Sequence, residues 1–104
     1  MALKIFEDVL VLIREMRPVI VEIAHHDADL AKQTRKALTS VPLNIAEGEW
    51  RKNGHARSRF ETAMGSANEV KAILRTADAM GYIEADPRQV DELDRIARTL
   101  HKLC

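Results

Sequence analysis

The run Glu22-Ile23-Ala24-His25 has the Glu-x-x-His spacing that puts two metal-ligating side chains on one face of a helix, as in carboxylate-bridged di-iron bundles. His26, Asp27 and Asp29 follow at once. A di-iron centre also needs a second such pair and two further inward glutamates, and neither His55 nor His101 has a glutamate three residues before it. The cluster therefore reads as a polar turn between two helices, with Asp27 or Asp29 capping the second. A metal-binding bundle stays as a minor alternative, and no cofactor is expected. Glu47 and Glu69 invite a reading as paired carboxylates, but a helical seam is filled by side chains and offers no cleft. There is no phosphate-cradling glycine loop, no paired-cysteine motif and no serine or cysteine nucleophile beside a base, so catalysis is not expected.

The remaining chemistry is charge. Lys32, Arg35 and Lys36 project on one helical face; Arg57, Lys71 and Arg75 share another that Glu61 dilutes, and Arg51 and Lys52 lie between the two groups. Such strips track phosphates through counterion release and do not read sequence. Only four aromatic residues are present, which argues against a platform for stacking bases. The plain alternative is a solvated helix surface. Total charge balances at 16 basic and 16 acidic residues, yet residues 32–75 hold nine basic against four acidic, so the middle of the chain is basic and its flanks acidic.

These residues need helices to place them. Ile5, Val9, Leu12, Met16, Val19 and Ile23 alternate steps of four and three, one stripe of a helix that keeps phase across Pro18. A second stripe, Leu30, Thr34, Ala37, Val41, Asn44 and Gly48, is unusually small and polar. After the turn signal Asn53-Gly54 comes a third, Phe60, Ala63, Ala67, Val70, Leu74 and Ala77, ending near Gly81 as a left-handed cap. Asp86-Pro87 then supplies an N-cap and a first-turn proline for Val90, Leu93, Ala97, Leu100 and Cys104. The spacing predicts helices over residues 4–25, 29–51, 55–80 and 87–103 of one domain, an all-α, antiparallel up-and-down four-helix bundle. Extra apolar rows (Phe6, Leu10, Ile13, Ile20, Ile73, Met80) are either further core or a surface for self-association.

Composition agrees. A chain of 104 residues with 46% hydrophobic and 31% charged residues, 4 Gly and 3 Pro suits one helix-rich core rather than a disordered segment. The single Cys104 cannot form an internal disulfide, and nothing beside it would activate the thiol. Apolar and charged residues alternate at the N-terminus, so neither a signal peptide nor a membrane span is expected, and a reducing cytoplasm is the expected compartment.

The most specific stretch is Ser40-Val41-Pro42-Leu43-Asn44-Ile45-Ala46-Glu47-Gly48, with a proline inside a helix and an asparagine on its inner stripe. Pro42 frees the Leu38 carbonyl, near which Thr39 or Ser40 offers a hydroxyl. Ser40, Asn44 and Glu47 line one edge. On the third helix Thr62, Gly65, Ser66 and Glu69 share a side, and the small Gly65 and Ser66 would let two backbones approach closely. A hydrogen-bonded seam between the second and third helices follows, fixing their register.

Here the sequence resembles the bacterial four-helix-bundle proteins of 23S ribosomal RNA intervening sequences, which include accessory proteins of diversity-generating retroelements. The resemblance rests on Gln33-Thr34-Arg35-Lys36-Ala37, Ser40 through Gly48, Phe60 with Gly65-Ser66 and Glu69, and Gly81-Tyr82-Ile83, across about residues 30–83. It implies a pentameric barrel of four-helix bundles, and a basic surface that binds RNA or DNA and a reverse transcriptase. The chain departs from the pattern at Glu49-Trp50-Arg51-Lys52, where relatives have an aromatic and glycine-rich turn, and in its zero rather than basic net charge. Two function classes follow: a nucleic-acid-binding accessory protein, and a purely structural oligomer that presents its surface to another protein. In either, Trp50 and the extra apolar rows are candidate subunit contacts.

Overall fold

Ile5, Val9, Leu12, Met16 and Ile23 are all buried, and the face they share turns helix α1 (Ala2–His26) toward the interior of the computed structural model, which describes residues 2–51 and 54–104. The helix runs unbroken through Pro18, which lies on the exposed side, where the carbonyl left without a partner can be hydrated. Asp27 alone separates α1 from α2 (Ala28–Trp50), and its carboxylate accepts the Leu30 amide at 2.9 Å; of the two expected caps, this is the one used. Helix α3 (Gly54–Ala79) buries all six residues of its stripe and ends at Gly81, whose φ of 79° permits the closing bonds from the Gly81 amide to the Asp78 carbonyl and from the Tyr82 amide to the Ala77 carbonyl, each 2.9 Å. The Asp86 carboxylate then accepts the Arg88 amide at 2.9 Å and, with Pro87, starts α4 (Pro87–Leu103).

Cross-helix pairs set the directions. Ser66 meets Ser40 and Glu69 meets Gln33, so α2 and α3 are antiparallel; Lys71 with Asp94 and Arg57 with Cys104 give the same sense for α3 and α4. Asp8 with Arg95 and Glu15 with Arg88 close α4 back onto α1. The four helices thus surround one apolar core in a body of 43 × 23 × 20 Å, its long dimension close to the length of a 26-residue helix. A smaller cluster of Ile23, Ala31, Ile73 and Ala77 seals one end. Among the described residues there is no strand, and no helix is long and apolar enough to cross a membrane.

The inner face of α2 differs from its expected stripe. Leu30 and Asn44 stand half-buried at the rims, while Ala31, Leu38, Pro42 and Ile45 join Thr34, Ala37, Val41 and Gly48 inside. Helix α2 packs against both α1 and α3, and a helix with two neighbours buries a broader face than one stripe. Of the extra apolar rows, Ile73 is core; Phe6, Leu10, Ile13 and Ile20 are half-buried and Met80 is exposed.

Helices α1 and α4 touch along a shorter seam held by ions. Arg95 donates to Asp8 at 2.8 Å and to both Glu92 oxygens at 2.8 and 2.9 Å. The Arg95 guanidinium holds the Asp8 and Glu92 carboxyls below the usual carboxylate range, and the two acids in turn raise the arginine. A lowered carboxylate contributes stability that is complete above its unfolded value of about 4 and is lost as pH falls through the lowered native value. Arg95→Gln should therefore be less stable than wild type at pH 7, by up to about 1 kcal/mol for part-exposed pairs, and indistinguishable from it near pH 2, as urea midpoints at the two pH values would read.

Candidate nucleic-acid interface and the polar seam beside it

The seam is built from polar side chains of α2 and α3 whose hydrogen bonds run both along α2 and across to α3. The Ser66 hydroxyl donates to Ser40 Oγ at 2.8 Å, and Asn44 Nδ2 donates to the same oxygen at 3.0 Å and to the Ser40 carbonyl at 2.9 Å. Arg59 Nη1 donates to Asn44 Oδ1 at 3.3 Å, and Gln33 Nε2 to Glu69 Oε2 at 3.2 Å. Gln33 and Arg59 extend the seam beyond the residues expected for it. The signal was in the spacing, since Gln33 stands one heptad before Ser40 and Arg59 one heptad before Ser66.

Other expected members take different roles. Glu47 turns to its own helix, where Arg51 reaches it through Nε at 3.0 Å and Nη2 at 2.5 Å and holds its carboxyl below the usual range. Pro42 is buried on the inner face. Thr39 bonds back to the Arg35 and Lys36 carbonyls at 2.9 and 3.3 Å, not to that of Leu38, and Thr62 bonds back to Ser58 at 3.0 Å. Gly65 is exposed, and a Cβ there would meet nothing within 4 Å, so it is not where the backbones approach. The tight glycine contact is made at Gly48, and by a side chain of α3: a Cβ built on it would lie 2.7 Å from Phe60 Cε1 and 2.9 Å from Cζ. Glycine is required because the Phe60 ring lies flush on the α2 backbone.

Because the Ser40 hydroxyl also accepts from Asn44, Ser66→Ala removes one bond without orphaning its partner. The expected loss is about 1 kcal/mol in urea unfolding, with the Ser40→Ala/Ser66→Ala pair losing less than the two single changes added together.

The basic residues separate into two groups. Lys32, Arg35 and Lys36 are exposed on α2 and enter no ion pair among the described residues. Lys36 also rims a shallow cleft of about 340 Å³ with Gln33, Ser40, Ser66 and Glu69. On the opposite flank of α3, toward α4, Lys71 pairs with Asp94 at 3.0 Å and Arg57 with Glu61 at 3.6 Å, while Arg75 is exposed with no ion pair among the described residues. The Lys71 ammonium holds Asp94 below the usual carboxylate range. Arg51 is engaged by Glu47, and Lys52 lies outside the described residues. The fold therefore does not bring the two expected strips together, and acids neutralise most of the second.

At the α1–α2 turn, Glu22 lies 3.7 Å from His25 and 3.9 Å from His26, and the His26 ring stacks on Tyr82 with centroids 5.1 Å apart. Among the described residues no group of three or more His, Cys, Asp or Glu side chains is placed to hold a metal ion. Glu47 and Glu69 each have a separate partner and share no hydrogen bond.

The family model described as 23S rRNA-intervening sequence protein matches residues 3–104. Neither the curated proteins nor the solved structures gave a match. Since the matched region spans all four helices and not the polar seam alone, the chain belongs to the 23S rRNA-intervening sequence protein family.

Proposed function

We propose that this protein is a non-enzymatic accessory protein whose up-and-down bundles assemble into a closed homopentamer and hold RNA or DNA on the outer face of α2. The observation that carries the nucleic-acid reading is the triad Lys32, Arg35 and Lys36, three exposed cations with no ion pair among the described residues, of which Lys36 rims the cleft it shares with Gln33, Ser40, Ser66 and Glu69. Cations of this kind neutralise phosphates and release counterions, so binding is sequence-independent and strongly salt-dependent. Assembly is supported by the other half of the same helix, where Trp50 is 86% and Leu43 68% exposed and Trp50 borders a groove with Phe6, Ala46 and Glu49. A large aromatic in water beside an apolar groove suits a subunit contact. The seam groups satisfy one another, which supports a structural role for them; the single cysteine suits a reducing cytoplasm, and by family resemblance a reverse transcriptase is the protein partner. Low-salt gel shifts with a structured RNA and a DNA duplex test the reading: retardation that disappears by moderate salt is expected, and retention of neither ligand overturns it.

A second reading, a structural oligomer that presents its surface to another protein without nucleic acid, draws on the neutralised flank of α3 and the zero net charge.

A further inference from the structure

A groove of about 800 Å³ lies between the second half of α1 and the segment joining α3 to α4. Five carboxylates line it, Glu15, Glu22, Asp78, Glu84 and Asp86, and no basic side chain does. Three are already engaged: Glu15 by Arg88, Asp78 by the Ala85 amide at 2.8 Å and Asp86 by the Arg88 amide at 2.9 Å. Among the described residues Glu22 pairs only with the two exposed histidines, and Glu84 has no ion pair.

Gln89 makes this more than a patch of acids. It is only 5% exposed and lines the groove, yet its carboxamide takes part in no hydrogen bond among the described residues. Nor is any side-chain polar atom there both sealed from solvent and unpartnered, so the Gln89 amide group opens into the groove. A side chain whose body is buried and whose solvent-facing carboxamide has no protein partner suits an incoming polar group. Tyr82 adds an aromatic wall, stacked on one side against His26.

We propose that this groove receives an arginine-bearing segment of a protein partner. A guanidinium has five donors and no acceptor, so it suits a site made of carboxylates and an amide carbonyl, and its planar face packs against a phenol ring. The local charge repels nucleic acid, so this groove and the cationic face of α2 take ligands of opposite charge. The inference does not depend on nucleic-acid binding or on the number of subunits.

The test is fluorescence anisotropy of a fluorescein-labelled peptide of five arginines spaced by glycines, at low salt, against the full chain. The same peptide with citrulline for arginine, equal in shape and uncharged, serves as reference. Wild type is expected to bind the arginine peptide and not the citrulline one. Glu22→Gln/Glu84→Gln, two exposed changes that leave the fold alone, should weaken binding about tenfold, and Gln89→Leu about fivefold. Glu7→Gln/Asp91→Asn, which removes the same charge elsewhere on the surface, should leave it within about twofold. Equal weakening by the two double variants would reduce the effect to general attraction and overturn the proposal. So would an unchanged affinity in Gln89→Leu with native unfolding behaviour, failure of wild type to bind, or release of the peptide as protein concentration rises, the mark of a second copy filling the groove.

Discussion

Gly48→Leu is expected to destabilise the protein by about 3 kcal/mol, because three further carbons beyond Cβ would enter space that the Phe60 ring already fills. The alanine variant shows why the site decides the sign. In an ordinary helix interior, replacing glycine by alanine stabilises by about 1 kcal/mol, since alanine has the better helix propensity. Here the Cβ alone would come within 2.7 Å of Phe60 Cε1, so the buried ring or the α2–α3 spacing must shift. Overpacking of this kind costs about 1–3 kcal/mol, which exceeds the propensity gain, so Gly48→Ala should also unfold at lower urea, by a smaller margin. Shortening the ring should recover part of the loss: in Phe60→Leu, the change from Gly48 to Ala should be neutral or favourable. A double-mutant cycle in urea reads the coupling, and additive effects would mean that the two positions do not meet.

The triple variant Lys32→Gln/Arg35→Gln/Lys36→Gln is expected to weaken RNA or DNA binding at low salt by about tenfold or more, and to flatten its salt dependence. Each phosphate neutralised on duplex DNA adds about 0.9 to the slope of log affinity against log salt, so losing three contacts should reduce that slope by about 3. All three side chains are exposed and free of ion pairs among the described residues, so the fold should be unaffected. Lys71→Gln/Arg57→Gln is the informative partner. Both cations are already matched by Asp94 and Glu61, and their removal should change the slope by less than 1 unit if the α2 face is the contact. Equal effects from the two variants would instead indicate a diffuse field over the whole surface.

The stripes of α1 and α3 were legible in the sequence because an unbroken run of apolar residues at steps of three and four leaves one choice of inner face, and all six α3 positions are buried. Caps were equally legible, since Asp27, Gly81 and Asp86-Pro87 act within one turn of their own residue. The face of α2 was read too narrowly, with Asn44 inside and Ile45 outside, because small side chains dominate it and periodicity cannot count neighbouring helices. The α2–α3 seam follows from the spacing of Ser40, Asn44, Ser66 and Glu69; of the two small residues expected at the close approach, Ser66 meets Ser40 while Gly65 is exposed, and the glycine that a neighbour crowds is Gly48, under the Phe60 ring. A small residue allows proximity, but which flank of a helix faces its neighbour depends on rotation about the axis, and that is settled by packing between helices. The same rotation turns Lys71 toward Asp94 and away from the α2 cations, so charges that form one basic stretch along the chain are parted in space.

The most direct check on the account is the native mass of the freshly purified protein, measured by sedimentation with and without nuclease treatment. The expected result is an assembly larger than the bare oligomer, with strong absorbance at 260 nm, that nuclease reduces to about five times the 11.7 kDa chain. A mass equal to one chain at micromolar concentration, unchanged by nuclease, would contradict it.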